Sequence, residues 1–352
     1  MTPGLTKHWP AMHTLIKRLT LIAVQLVVVV FIACSSGYCA ERVVVTDLRA
    51  LTLPKPVGRI ASLAFSPDGS VLAAGSGTVT SFGSHGEITL WDWRTGSVIK
   101  TLEGHGGRVE DVVFSKDGQW IVGGGFNVKI WDTRTYKLVK RVPNRGLAQA
   151  LALTSDRKTL AIASADSFAT VLNVEKGTVV TVLPTQPVSG QVQGKGVASL
   201  HLSRDNTLLA MGGYGQLASI WNAADWKLKR TVSLEAKGTN YIRFVRLAHE
   251  HPWVFTKGHW NVPGRIYNLD SGELVSEFQG DNALVEKAAF SRTDDLLVAV
   301  GMDDARIWDT ASGKLLWTRR GNFWSVALSP DGRTLALGNS TGGISLLTVK
   351  VE

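Results

Sequence analysis

The strongest constraint on how this chain folds is a pattern written seven times: an apolar strand, a turn, a strand of small residues, and a strand ending in an aromatic or a Leu. Three copies end in Trp-Asp, at Trp91-Asp92, Trp131-Asp132 and Trp308-Asp309. The others end in Leu172-Asn173, Trp221-Asn222, Tyr267-Asn268 and Leu347-Thr348. The steps between these positions are 40, 41, 49, 46, 41 and 39 residues. A unit of that size cannot bury its apolar face alone and must stack on its neighbours. The repeat therefore overrides the two or three domains that 352 residues alone suggest.

A period of roughly 40–45 residues with this signature predicts an all-β, seven-bladed β-propeller of four-stranded antiparallel blades. Innermost strands are expected over 60–65, 109–114, 148–153, 197–202, 242–247, 285–290 and 323–328. Turns such as Ser66-Pro67-Asp68-Gly69 and Ser329-Pro330-Asp331-Gly332 follow them. In these, Pro presets φ, Asp bonds back to the backbone and Gly accepts φ > 0. The last repeat lacks a fourth strand, and an orphan strand over 43–53 precedes the first. Pairing the two closes the ring and removes an exposed edge. The Gly-rich stretch 75–86 is expected to be a loop. Top loops over 75–87, 184–196 and 257–264 would supply specificity on one face, where the loops entering the inner strands cluster.

From about residue 43 to the C-terminus the chain resembles the WD-repeat family, through the Trp-Asp pairs, their spacing, the turns and one Gly104-His105 dipeptide. In that family Gly-His, a second-strand Ser/Thr, a turn Asp and the Trp form a hydrogen-bond network. Here His105 lacks an evident Ser/Thr partner, and Asn127 stands near the expected Asp. The resemblance implies a rigid platform for protein binding, usually without catalysis.

Residues 1–40 read as an address and 41–352 as the propeller. Lys17 and Arg18 precede an apolar run from Leu19 to Ala33, which is about 22 Å long as a helix and short of a ~30 Å bilayer core. Small residues follow, the pattern of a secretory signal; Met12 would be a more typical start than Met1. Phe31-Ile32-Ala33-Cys34 resembles a bacterial lipobox, which would make Cys34 a lipidated N-terminus. Ordinary cleavage near Gly37 or Ala40, and an uncleaved anchor, are the alternatives. All three place the propeller outside the cytoplasmic membrane, in the periplasm or on the periplasmic face of the outer membrane, with anchoring favoured over a free form.

Net charge is +9, or +6 without Lys7, Lys17 and Arg18, which favours anionic partners. No run of five Lys/Arg appears, so nucleic acid is not indicated. The only cysteines, Cys34 and Cys39, precede the repeats, leaving the propeller without a disulfide framework or a cysteine zinc site. No cofactor motif is found: there is no Gly-x-Ser-x-Gly elbow and no phosphate loop. His249-Glu250-His251 with His259 spans opposite faces of a blade, which argues against a metal site.

The upper channel positions read Ala61, Glu110, Gln149, Ala198, Arg243, Glu286 and Trp324, with His201 and Arg246 in a deeper register. These do not converge as an active site demands. A hydrolase or lyase using His201, Glu110 and Glu286 is the alternative to a non-catalytic scaffold. The partner-binding candidates are basic residues on loops entering the inner strands, with two top-side rings: Arg59, Arg108, Arg145, Lys195, Lys237, Arg319, Arg320, Trp260 and Trp324, with Lys55 beside them. Brought around one rim they would form a positive annulus for a protein or peptide with acidic groups. The membrane would be met through the N-terminal segment or its lipid.

Overall fold

The computed structural model describes residues 43–55, 58–80, 83–144, 146–164, 168–184, 196–213, 217–233, 242–258, 262–278 and 285–351. These contain 28 strands in seven four-stranded sheets, each antiparallel throughout. The propeller is thus as expected, with inner strands Ile60–Phe65, Asp111–Phe114, Ala148–Leu153, Val197–Leu202, Phe244–Leu247, Val285–Phe290 and Phe323–Leu328 defining blades 1 to 7. In blades 2 and 5 the inner strand starts two residues later than predicted.

Seven buried clusters hold the ring together, and each is shared by two successive blades. All seven signature side chains, Trp91, Trp131, Leu172, Trp221, Tyr267, Trp308 and Leu347, are buried in the cluster shared with the preceding blade. That explains why the position keeps a large apolar side chain while its identity drifts: it fills the wedge between two twisted sheets. The residue after it caps the next turn. Asp92 Oδ1 accepts the Arg94 N–H at 3.1 Å, and Asn268 Oδ1 accepts the Asp270 N–H at 2.8 Å. Asn offers the same oxygen as Asp, so decay from one to the other preserves the cap. Thr348 needs no such oxygen, because no turn to an outer strand follows it.

Blade 7 takes its outer strand from the start of the described chain. Val43–Thr52 pairs antiparallel with Gly343–Val351, from Val43 opposite Val351 to Thr52 opposite Gly343, with a bulge between Asp47 and Arg49. Leu51 and Leu53 are buried against blade 1 residues such as Ile60 and Leu72, so this strand also seals the first and last blades together.

One local expectation is corrected. The stretch 75–86 is a continued hairpin, with strands Val71–Thr80 and Gly83–Asp92 paired as far as Thr80 opposite Gly83. Thr78, Val79 and Thr80 are good strand formers. The glycines serve close approach: a Cβ on Gly86 would lie 1.8 Å from the Gly107 carbonyl oxygen.

Candidate ligand-binding channel

The inner strands surround a central cavity of about 940 Å³. In five blades a β-bulge sits at the start of the inner strand, skipping Ala61, Gln149, Ala198, Glu286 and Trp324. Glu110 and Arg243 occupy the same slot in blades 2 and 5, just ahead of their strands. A bulge re-aims side chains, and all seven of these residues line the cavity at its upper end, as the sequence register predicts.

At this upper mouth charges are paired. Arg108 Nε donates to Glu110 Oε1 at 2.9 Å, and Arg59 Nη2 lies 3.5 Å from Glu110 Oε2. Glu110 therefore forks between two guanidiniums. The Arg59 guanidinium also stands 3.6 Å from the Trp324 ring centroid, a cation–π contact. Burial, then the nearby Arg108, lowers the Arg59 pKa. Across the mouth Arg243 Nη2 donates to Glu286 Oε2 at 2.8 Å. Four enclosed polar atoms here have no partner among the described residues: Arg59 Nε, Gln149 Oε1, Glu286 Oε1 and Trp324 Nε1.

One residue deeper, side chains staple blade to blade. Ser62 Oγ accepts the Val112 N–H and donates to Asp111 Oδ1, both at 3.0 Å. Asp111 Oδ2 accepts the Leu151 N–H at 2.9 Å, and Ser325 Oγ donates to the Ile60 carbonyl at 2.8 Å. Lys287 of blade 6 lies 3.6 Å from Asp111 Oδ1 of blade 2, an ion pair across the channel between blades as far apart as a seven-fold ring allows.

Below this crossing the balance changes. His201 Nδ1 accepts the Leu247 N–H at 3.1 Å. Burial, then the charge of Arg246, pushes the His201 pKa well below its usual value, so the ring is neutral with its proton on Nε2. Arg246 makes no hydrogen bond or ion pair with any described residue, and its Nε is enclosed. Burial lowers its pKa to about 10, which leaves it charged at neutral pH. Lys116, Arg204 and Arg292 ring the lower mouth on the turns after the inner strands.

The His249-Glu250-His251 turn is also on this lower side, and its partner is a carboxylate. Fully buried Asp294 accepts the N–H groups of His249, Glu250 and His251 at 2.8, 2.7 and 3.0 Å. His251 stacks on Trp253 with centroids 4.1 Å apart. Among the described residues no group of three or more His, Cys, Asp or Glu is arranged to hold a metal. His105 is buried beside Trp131, its pKa lowered to about 4 by desolvation and then by Lys129.

The structure brings Arg59, Arg108 and Trp324 together. Lys55 pairs with Glu103 at 3.8 Å with both side chains exposed. Arg319 pairs with Asp47 on the neighbouring outer strand, tying blade 6 to blade 7, and Arg320 is exposed at the end of the same strand as Arg319. Arg145, Lys195, Lys237, Trp260, His259 and Cys34 lie outside the described residues, as do residues 1–42. Among the described residues no helix is long and apolar enough to cross a membrane. The Asp111–Lys287 crossing was missed by sequence reasoning. The available signal was the slot after the bulge, which reads Ser62, Asp111, Ala150, Ser199, Phe244, Lys287 and Ser325 and holds one acid and one base.

Comparison with known proteins agrees with this geometry. The family model described as WD domain, G-beta repeat matches residues 51–92 and 96–132. Residues 51–132 of this chain carry two WD40 repeats. Each matched segment ends on a Trp-Asp pair and starts in or beside the outer strand of a blade, so the sequence repeat straddles two blades. The Schizosaccharomyces pombe Periodic tryptophan protein 2 homolog is 32% identical over 134 residues, 37% of this chain and 15% of that protein. Autophagy-related protein 16 of Arabidopsis thaliana is 23% identical over 255 residues, covering 69% of this chain and 48% of that protein. Nuclear distribution protein nudF of Aspergillus niger is 27% identical over 175 residues, 48% of this chain and 36% of that protein. The matched regions thus span about half or less of these relatives.

Proposed function

We propose that this WD-repeat propeller is a non-catalytic scaffold that binds a protein or peptide at the top mouth of its channel. The observation that carries this reading is the cluster around Arg59, Arg108, Glu110 and Trp324 with its unpartnered enclosed atoms. Unpartnered donors (Trp324 Nε1, Arg59 Nε) and acceptors (Gln149 Oε1, Glu286 Oε1) belong to residues that line one cavity, where a few polar groups fix a ligand's orientation. An aromatic ring and an Arg at the centre of a rigid rim are the residue types that dominate interface energetics. Two guanidiniums share one carboxylate at Glu110, so an acidic group on the partner has a cation to engage. WD-repeat propellers generally bind proteins, which agrees with this reading.

The catalytic alternative is less favoured because Glu110 and Glu286 are each engaged by Arg, and His201 Nδ1 is occupied by a backbone N–H. The N-terminal sequence supports export: a basic flank, an apolar run and Phe31-Ile32-Ala33-Cys34 make an exported, lipid-anchored protein the reading for residues 1–40. Intact mass of the membrane-fraction protein tests this; a mature N-terminus beyond Cys34 ends the lipid reading.

Cross-linking in intact cells followed by mass spectrometry would name the partner. Trp324→Ala and Arg59→Gln should each lower its capture at least tenfold without altering the fold. Undiminished capture by both variants would reject the top-mouth site.

A further inference from the structure

The cavity contains a second region that the scaffold reading does not use. Eight Lys/Arg line the cavity against three carboxylates, a net charge of +5. The three carboxylates, Glu110, Glu286 and Asp111, all sit at or above the crossing, and each is in contact with a cation. Below it, the described lining contributes Arg246, Lys116, Arg204 and Arg292, and no acid.

Arg246 is the unusual member of that set. A guanidinium carries five donors, and enclosing it without an acceptor costs far more than leaving it in water. The other channel arginines at the upper mouth have Glu partners; Arg246 has no hydrogen bond or ion pair among the described residues, and the carboxylate that acts on it from a distance, Asp111, is already held by Lys287, Ser62 and the Leu151 N–H. Its neighbour His201 is held in one tautomer by the Leu247 N–H, which leaves Nε2–H as a second donor beside it. Above them the Lys287–Asp111 pair crosses the channel. A chain threading from end to end would have to break that pair, so a ligand entering from below is a small molecule.

We infer that the lower half of the channel binds a small phosphorylated anion, seated on the Arg246 guanidinium with the His201 Nε2–H and the Lys287 ammonium as further donors. Planar guanidinium recognises phosphate oxygens bidentately, and the excess positive charge suits a multivalent oxyanion over a single carboxylate. The exposed Lys116 and Arg292 at the mouth, with Arg204 loosely paired to exposed Glu250 at 3.8 Å, draw the anion in by long-range attraction. The cavity volume is in the range of small-molecule sites. This site is separate from the top-mouth partner site and does not depend on it.

The test is isothermal titration of the full chain with inorganic pyrophosphate at constant ionic strength, with citrate as a parallel titrant. Saturable binding tighter than about 1 mM is expected for pyrophosphate, with citrate at least tenfold weaker. Arg246→Met should weaken pyrophosphate at least tenfold. Arg204→Gln combined with Arg292→Gln, both exposed and harmless to folding, should weaken it about threefold or more. Lys229→Gln on an outer strand should change nothing. The inference is overturned if wild-type protein binds no pyrophosphate, if citrate binds as tightly, or if Lys229→Gln weakens binding as much as the channel variants. It is also overturned if a folded Arg246→Met, or the double mouth variant where Arg246→Met does not fold, keeps wild-type affinity.

Discussion

The two halves of the channel are built from the same seven strands yet treat charge in opposite ways. At the upper mouth Arg59, Arg108 and Arg243 each contact a Glu, and Arg59 also covers Trp324. Below the Lys287–Asp111 crossing Arg246 has no hydrogen bond or ion pair among the described residues, feeling Asp111 only at longer range, although Arg204 at the lower mouth lies 3.8 Å from Glu250. Counting basic residues on the top loops suggests a positive rim there. Pairing changes that: much of the upper charge is matched by neighbouring carboxylates, and the cation without an ion pair, Arg246, lies deeper, on the other side. Surface charge predicts potential only where the partners are known.

Breaking the ring should remove both halves together and give the largest effect. Deleting residues 43–53 strips the outer strand of blade 7 and uncovers Leu51 and Leu53's partners Ile344 and Leu346. Fully burying a Leu contributes about 1.5–3 kcal/mol, so the two lost Leu alone imply a melting-temperature drop on the order of 10 °C. An unchanged melting temperature would remove the ring-closure account.

Asp111→Ala attacks the boundary between the halves. It leaves the Leu151 N–H and the Lys287 ammonium without their acceptor, at a cost of about 2–4 kcal/mol in urea unfolding. The halves themselves should answer with opposite signs. Glu110→Gln strips the neutralising charge from Arg59 and Arg108 and should destabilise by about 1–3 kcal/mol. Arg246→Met removes an enclosed cation whose burial outweighs its distant attraction to Asp111 and should stabilise by about 1 kcal/mol, the pattern of a residue kept for binding. Equal destabilisation by both would erase the contrast between the two halves.

The smallest effect is in pH. His105 and His201 have folded-state pKa values below the ordinary 6.5, that of His105 at about 4. Between those values the unfolded chain binds more protons than the folded one, so stability is full above about pH 6.5 and falls as pH drops toward 4. A second loss follows at lower pH. The turn aspartates Asp68, Asp156 and Asp331 have pKa values lowered chiefly by the hydroxyls of Ser66, Thr154 and Ser329, and their contribution disappears as they protonate. Arg246→Met takes away one cause of the His201 shift, so the imidazole should titrate at higher pH by NMR, and the loss on acidification should shrink.

Much of this architecture is legible in the residues. The signature positions mark seven inter-blade wedges, and the Ser/Thr-x-Asp turns are identifiable because their hydroxyl and carboxylate bond locally: Ser66 Oγ accepts the Val71 N–H at 2.9 Å, and Thr154 Oγ1 accepts the Thr159 N–H at 3.0 Å. The upper channel slot was readable because the bulge recurs at one register. Gly75–Gly86 misled because glycine marks both loops and close backbone contacts; only the approach of Gly107 to Gly86 distinguishes them. Asp294 was invisible for a different reason. It looks like an ordinary turn residue, yet its carboxylate serves the N–H groups of a turn on the neighbouring blade.

By itself the sequence determined the repeat, the seven-fold count, the closure by the first strand and the seven side chains that ring the upper channel. Period, turn chemistry and apolar register are local properties, and they recur often enough to be read without coordinates. Only the tertiary structure decided which charges neutralise one another. Arg59 meets Glu110 from the adjacent blade, Lys287 meets Asp111 across the channel, and Arg246 forms no ion pair, feeling the Asp111 carboxylate only at longer range. Coulomb energy depends on distances set when the ring closes, and residues far apart in the chain become neighbours only then.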